Sequence, residues 1–175
     1  PFSYYNMGCA YLGQKQYKDA KKAFEKAIKL KAEPNFYYNL ALAEKNLGNT
    51  KKAQEALDKY NKLKENEIFV FVSNLQGLHG GGAARLAYEK FGAIWGQGVG
   101  LQGQSYGIPT MHGGVEDIKP YVDEFIEFAK SHPELTFLVT RIGCGIAGFR
   151  DEEIAPLFKE CIEIDNVILP RTFVQ

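Results

Sequence analysis

Ile68-Phe69-Val70-Phe71-Val72-Ser73-Asn74-Leu75-Gln76-Gly77-Leu78-His79-Gly80-Gly81-Gly82-Ala83-Ala84 sets an apolar run of strand length before a glycine-rich loop and a helical start. The same order recurs in Thr136-Phe137-Leu138-Val139-Thr140, followed by Arg141-Ile142-Gly143-Cys144-Gly145-Ile146-Ala147-Gly148-Phe149. Strand, glycine loop and helix turn free backbone N–H groups and the positive end of a helix dipole toward an anion. Two such loops in one small domain point to a ligand with two phosphates, or a phosphate and a sugar, held between them.

Working outward, apolar runs of strand length occupy 68–72, 105–109, 136–140 and 167–169, the last ending at Pro170. Helical stretches lie near 82–91, 117–131 and 151–161, the last two opening on carboxylates where a helix dipole favours them. This alternation predicts a compact three-layer α/β/α domain with a parallel or mixed sheet, binding its ligand at the carboxyl ends of the strands. Residues 96–104 are too rich in glycine for a regular element and read as a mobile loop. Thr110-Met111-His112-Gly113-Gly114 forms a second loop after the 105–109 run.

The chain has 175 residues and a net charge of zero, but that zero hides a division. Residues 1–66 carry 13 Lys and no Arg against 7 acids, whereas residues 67–175 carry 8 basic residues against 14 acids. The composition predicts two domains, 1–66 and 67–175. No apolar run reaches the ~20 residues that span a bilayer, and there is no signal-peptide pattern. Three dispersed cysteines, Cys9, Cys144 and Cys161, argue against a disulfide framework or a metal site and suit the reducing cytoplasm.

In the first segment Tyr4-Tyr5-Asn6-Met7-Gly8 recurs as Tyr37-Tyr38-Asn39-Leu40-Ala41, and at the same spacing Ala20 matches Ala53 and Phe24 matches Leu57. With Tyr11, Ala27 and Pro34, this pattern resembles the tetratricopeptide repeat, a helix pair of about 34 residues. The second copy departs from the first, with Glu44 where Tyr11 stands and Tyr60 where Ala27 stands. The resemblance implies all-α hairpins serving as a peptide-binding face or as a spacer.

Three short motifs in the second segment fail in context. Gly98-Val99-Gly100-Leu101-Gln102-Gly103 fits the dinucleotide fingerprint but is followed by a strand. Gly143-Cys144-Gly145-Ile146-Ala147-Gly148 fits it too, yet Arg171 stands where an acidic residue would close the next strand. Ser105 in Gly103-Gln104-Ser105-Tyr106-Gly107 enters an extended run rather than the sharp strand-to-helix turn of a hydrolase nucleophile.

Taken together, residues 68–170 resemble a macro domain, the fold that binds ADP-ribose. The resemblance places Asn74 near the distal ribose, with Gly80, Gly81, Gly82 and Ala83 lining ribose and diphosphate. It wraps the diphosphate in the N–H groups of Gly143, Cys144, Gly145, Ile146, Ala147 and Gly148, with Phe149 bordering the ribose. Further contacts would come from His79, Tyr106, Arg141 and Arg150. Trp95 and Tyr106 read as core before adenine-stacking groups, and Tyr106, bordering the glycine loops, is the better stacking candidate of the two.

The acids that hydrolases of the family carry are absent: Ala84 and Arg85 follow the first glycine run, and Ala147 stands in the second loop. His79, His112 and Asp151 remain as candidate acids or bases, and Cys144 has no evident partner base. The sequence therefore favours a cytoplasmic binder of ADP-ribose, or of a related diphosphate nucleotide, that requires no cofactor. Its repeat segment would contact a protein or peptide. The alternatives are an atypical ADP-ribosyl hydrolase, and a peptide-binding scaffold with a non-catalytic α/β domain.

Overall fold

The computed structural model describes residues 1–143 and 147–174. It divides into two units, residues 1–65 and residues 66–175. The first unit is built from α1 (Phe2–Gly13), α2 (Tyr17–Leu30), α3 (Pro34–Asn46) and α4 (Thr50–Glu65), each packed on the next. Gly8 lets α1 and α2 close together, because a Cβ there would stand 2.5 Å from the Phe24 ring. Phe24, Ala20 and Ala43 form the centre of this unit, and Tyr5 stacks on Phe36 with ring centroids 4.8 Å apart. Pro34 opens α3, where its missing N–H costs nothing.

The break from the repeat pattern at Glu44 has a structural use. Its carboxylate is only 3% exposed, lies 2.9 Å from Lys21 Nζ and accepts a 2.7 Å hydrogen bond from Asn49 Nδ2. Burial pushes this carboxyl upward, but the bonds from Lys21 and Asn49 outweigh it and hold it below the usual carboxylate range. An ion pair thus ties α2 to α3 at the position where the first repeat uses tyrosine.

The second unit contains β1 (Glu67–Ser73), α5 (Gly82–Lys90), β2 (Gly100–Gln102), β3 (Ser105–Pro109), α6 (Val115–Ser131), β4 (Thr136–Val139), α7 (Asp151–Ile154) and β5 (Val167–Ile168). The strands form one sheet in the order β2-β3-β1-β4-β5, parallel except for β2. Strand alternation divides the core. Phe69 and Phe71 join Ala84 and Ala87 of α5, whereas Ile68 and Val70 join Ile118, Val122 and Phe125 of α6. Helices therefore cover both faces of a mixed sheet.

Three expectations require correction. Residues 96–104 are not without regular structure, because β2 pairs antiparallel to β3 through a two-residue turn with Gly103 at φ 61°. Nor does the segment read as mobile. Gly96 N donates to Gly77 O, Ser73 Oγ donates to Gly98 O, and a Cβ on Gly98 would lie 2.0 Å from Asn74 O. The helix expected over 151–161 is α-helical only to Ile154, after which a 3₁₀ segment runs over Ala155–Glu163. Pro156 there lacks the N–H that an i→i−4 bond needs.

Candidate functional site

Parallel pairing brings the carboxyl ends of β1, β3 and β4 to one edge, and the loops leaving them converge there. Ser73 is in register with Pro109, and Thr110 N donates to Ser73 O at 3.1 Å. Thr140 continues beyond β4, its Oγ1 donating to Val70 O at 2.8 Å. Between these loops lies a cleft of about 140 Å³ walled by Val72, Ser73, Asn74, Leu78, Gly81, Ala84, Thr110, Met111, Gly143 and Ala147. None of these side chains carries a charge.

The two helices near this edge begin differently. The N-terminus of α6 is closed from within, because Asp117 Oδ2 accepts the Gly114 N–H at 2.9 Å. Helix α5 has no acidic residue in its first turn and no side-chain cap. Its first N–H groups have no acceptor inside the helix, and Gly81 and Ala84 of that turn line the cleft. An anion in the cleft would meet uncommitted amides and the positive end of a dipole.

The second glycine loop is braced at its stems. Phe149 N donates to Gly143 O at 2.9 Å, and Arg141 makes bonds of 3.2 and 3.0 Å to the two oxygens of Asp151. Gly143 at φ 76° and Gly148 at φ 79° adopt the left-handed conformation that glycine takes without strain.

Of the residues singled out in the sequence, Asn74, Gly81, Gly143 and Ala147 come together in the cleft wall. Gly80, Gly82, Ala83, Gly148 and Phe149 lie beside it in the chain but outside that wall, and Phe149 packs against the α6-side core. Cys144, Gly145 and Ile146 lie outside the described residues. Asn74 is bound into its own loop, donating from Nδ2 to Leu78 O and accepting Leu78 N–H at Oδ1, both at 2.9 Å.

The remaining candidates are held elsewhere. Tyr106 does not border the loops as a stacking platform. It is 2% exposed, packs edge-on against Phe125, and its hydroxyl is driven upward by burial and by Glu124. Trp95, expected in the core, is 51% exposed and meets Tyr88 edge-on. His79 is 1% exposed beneath the first loop, with Nε2 2.9 Å from Ile94 O and its ring edge-on to Phe71. His112 bonds the Asp117 carbonyl at 2.9 Å. Arg150 pairs with Glu153, as Arg141 does with Asp151. Of these, none lines the cleft.

Val72, Ser73, Leu78, Thr110 and Met111 also line the cleft and were not among the site residues chosen from the sequence. The place of Thr110 follows from register: Pro109 pairs with Ser73, so the next residue stands beside Asn74. A broader concavity of about 910 Å³ lies between α6 and the 3₁₀ segment. Its walls mix Ile126, Pro156, Leu157, Ile162 and Ile164 with charged surface side chains, among them the Lys130–Glu160 ion pair. In the helical unit a hollow of about 230 Å³ is lined by Lys21, Glu25, Tyr37, Glu44, Lys52 and Lys59 among others.

Comparison with known families separates the two units. Residues 1–33 match the tetratricopeptide repeat, and residues 34–67 match the same repeat through a second model. The first 67 residues therefore carry two tetratricopeptide repeats, whose helix pairs support a protein-interaction role. No curated protein and no solved structure matches the chain. Among the described residues no helix is long and apolar enough to cross a membrane, and no group of three or more His, Cys, Asp or Glu is arranged to hold a metal.

Proposed function

We propose that the α/β unit binds ADP-ribose or a related diphosphate nucleotide in the cleft between its two glycine loops, and that the repeats engage a protein partner. The observation that carries this reading is the convergence of Gly81, at the uncapped start of α5, with Gly143 and Ala147 of the second loop around one neutral cleft. A diphosphate suits such walls, since backbone amides satisfy its oxygens without a charged side chain. At about 140 Å³ the cleft is smaller than the ~300–1,000 Å³ typical of whole-ligand sites, so the diphosphate and adjoining ribose would occupy it, with the adenosine end outside.

Binding is favoured over hydrolysis. His79 is buried under the loop, Asp151 is held by Arg141, and the described cleft wall includes no acid and no histidine. Calorimetric titration with ADP-ribose, AMP and NAD tests the reading. Saturable heat with ADP-ribose is expected, AMP should bind more weakly because it lacks the second phosphate, and no heat with any of the three would refute it.

A further inference from the structure

The two repeats correspond down to single contacts. Lys26 Nζ of α2 stands 5.6 Å from the centre of the Tyr4 ring, and Lys59 Nζ of α4 stands 5.6 Å from that of Tyr37, the same two positions one repeat on. Helix α3 is covered on a further side by α2, where Leu40 and Ala43 pack with Ala20 and Phe24, and Lys21 pairs with Glu44. The counterparts of Leu40 and Ala43 on α1 are Met7 and Ala10. Both are exposed, Met7 by 46%. One repeat thus buries a face that the other leaves open.

The same correspondence says what fits the open face. Of the four helices, α1 alone has no charged residue. Tyr11 stands where α3 has Glu44, so a lysine placed like Lys21 would meet no carboxylate there. The counterpart of Lys21 on α4 is Gln54, and Leu57 stands for Phe24. Gln54 and Asp58 are exposed and Leu57 is half-buried. Both members of the internal ion pair are therefore replaced by neutral residues, one on each open helix. Opposite charges survive at the rim. Glu25, Tyr37 and Lys59 line one hollow, and their counterparts are Asp58 of α4 with Tyr4 of α1 and Lys26 of α2.

We infer that the repeat unit binds a second copy of this chain head to tail, α4 of one copy packing on α1 of the next as α2 packs on α3. Gln54 then meets Tyr11 where Lys21 meets Glu44, and Asp58 faces Lys26 across the Tyr4 ring. The contact joins two different surfaces and leaves one of each free, so it adds copies in sequence unless a rotation closes the ring. A contact between two short helices is small and belongs with transient interfaces. The inference rests on the reading that the repeats engage a protein, names that protein, and is independent of the nucleotide.

Sedimentation equilibrium of the whole chain over a range of concentrations tests this. Wild type should associate reversibly. Met7→Lys, which blocks α1, and the double change Gln54→Lys with Asp58→Lys, which blocks α4, should each weaken association at least about tenfold, the scale of misplaced charge at an interface. All three positions are exposed, so the helical circular dichroism should not change. Each variant keeps one intact surface, and an equal mixture of the two should therefore regain a dimer. A wild type that stays monomeric throughout refutes the second copy as partner and leaves the interaction role of the repeats standing. Association that survives the α4 changes, or a mixture no heavier than either variant alone, overturns the head-to-tail arrangement.

Discussion

The helical unit keeps an ion pair in its interior, and the α/β unit keeps its cleft free of charge. Glu44 and Lys21 lock two helices by a contact between specific side chains. Around the cleft, by contrast, glycines and a bare helix end leave the polar work to the backbone, and the side chains mainly shape the walls. A partner-binding scaffold can be specified by which side chains it presents. The anion site proposed for the cleft would instead be specified by where the main chain is allowed to go, so its sensitive positions would be those where no side chain fits.

The largest test of that difference is Gly98→Ala. The added Cβ would lie 2.0 Å from Asn74 O, and both segments are held by hydrogen bonds, so we expect a loss of about 3 kcal/mol, at the upper end for overpacking. Trp95, the single tryptophan, lies in the same segment, and its fluorescence in urea should report this loss. An unaltered midpoint would show that the main chain there yields easily.

Next comes Glu44→Ala, expected to cost about 2 kcal/mol. That is less than a fully buried pair, because the orphaned Lys21 retains access to water. Circular dichroism should follow it, with the Trp95 transition left in place. A matching shift of both signals would break the separation between units. Because the folded-state carboxyl lies below its usual range, its stabilisation is complete above that range and is lost as pH falls through the lowered value.

At alkaline pH the order reverses. Burial pushes the Cys161 thiol up to about 12 and drives the Tyr106 hydroxyl higher still. Above their ordinary values the unfolded chain releases protons that the folded chain retains, so the stability of the α/β unit should fall as pH rises from about 9. Each such group contributes about 1.4 kcal/mol per pH unit at most. Tyr106→Phe should flatten the upper part of that fall in urea titrations at stepped pH. A slope unchanged by the substitution would mean that the tyrosine ionises as freely folded as unfolded.

The smallest expected effect concerns ionic strength. Sites built from Lys and Arg weaken steeply with salt, but this cleft presents neutral donors. Affinity for ADP-ribose should therefore change by less than about threefold between about 0.05 and 0.5 M NaCl. A decade of weakening would assign the binding to surface cations such as Arg141 or Arg150.

Much of the architecture was legible because it rests on periodicity. Tyr4 and Tyr37, Gly8 and Ala41, and Ala20 and Ala53 recur at one spacing because each repeat solves the same packing problem. Strands β1, β3 and β4, and the short β5, stood out as apolar runs. Strand β2 did not, since Gly100, Leu101 and Gln102 owe their extended state to pairing with β3 rather than to their own preference. Of the cleft wall, Asn74, Gly81, Gly143 and Ala147 were named from the sequence. Thr110 was not, because its place in the wall comes from the register of β3 against β1, and Tyr106 was misplaced because one residue of pleat decides which face a strand side chain meets.

The order of the strands has one more consequence. The sheet ends on one side at β2, three residues between glycines, and on the other at β5, two residues followed closely by Pro170. Long bare edges recruit further strands and seed aggregation, and short edges interrupted by glycine or proline do not. Its longest strand, β1, lies at the centre, paired with β3 on one side and β4 on the other. The unit is thus guarded against growing into a larger sheet, so contacts with other molecules fall to its side-chain surfaces and its loops.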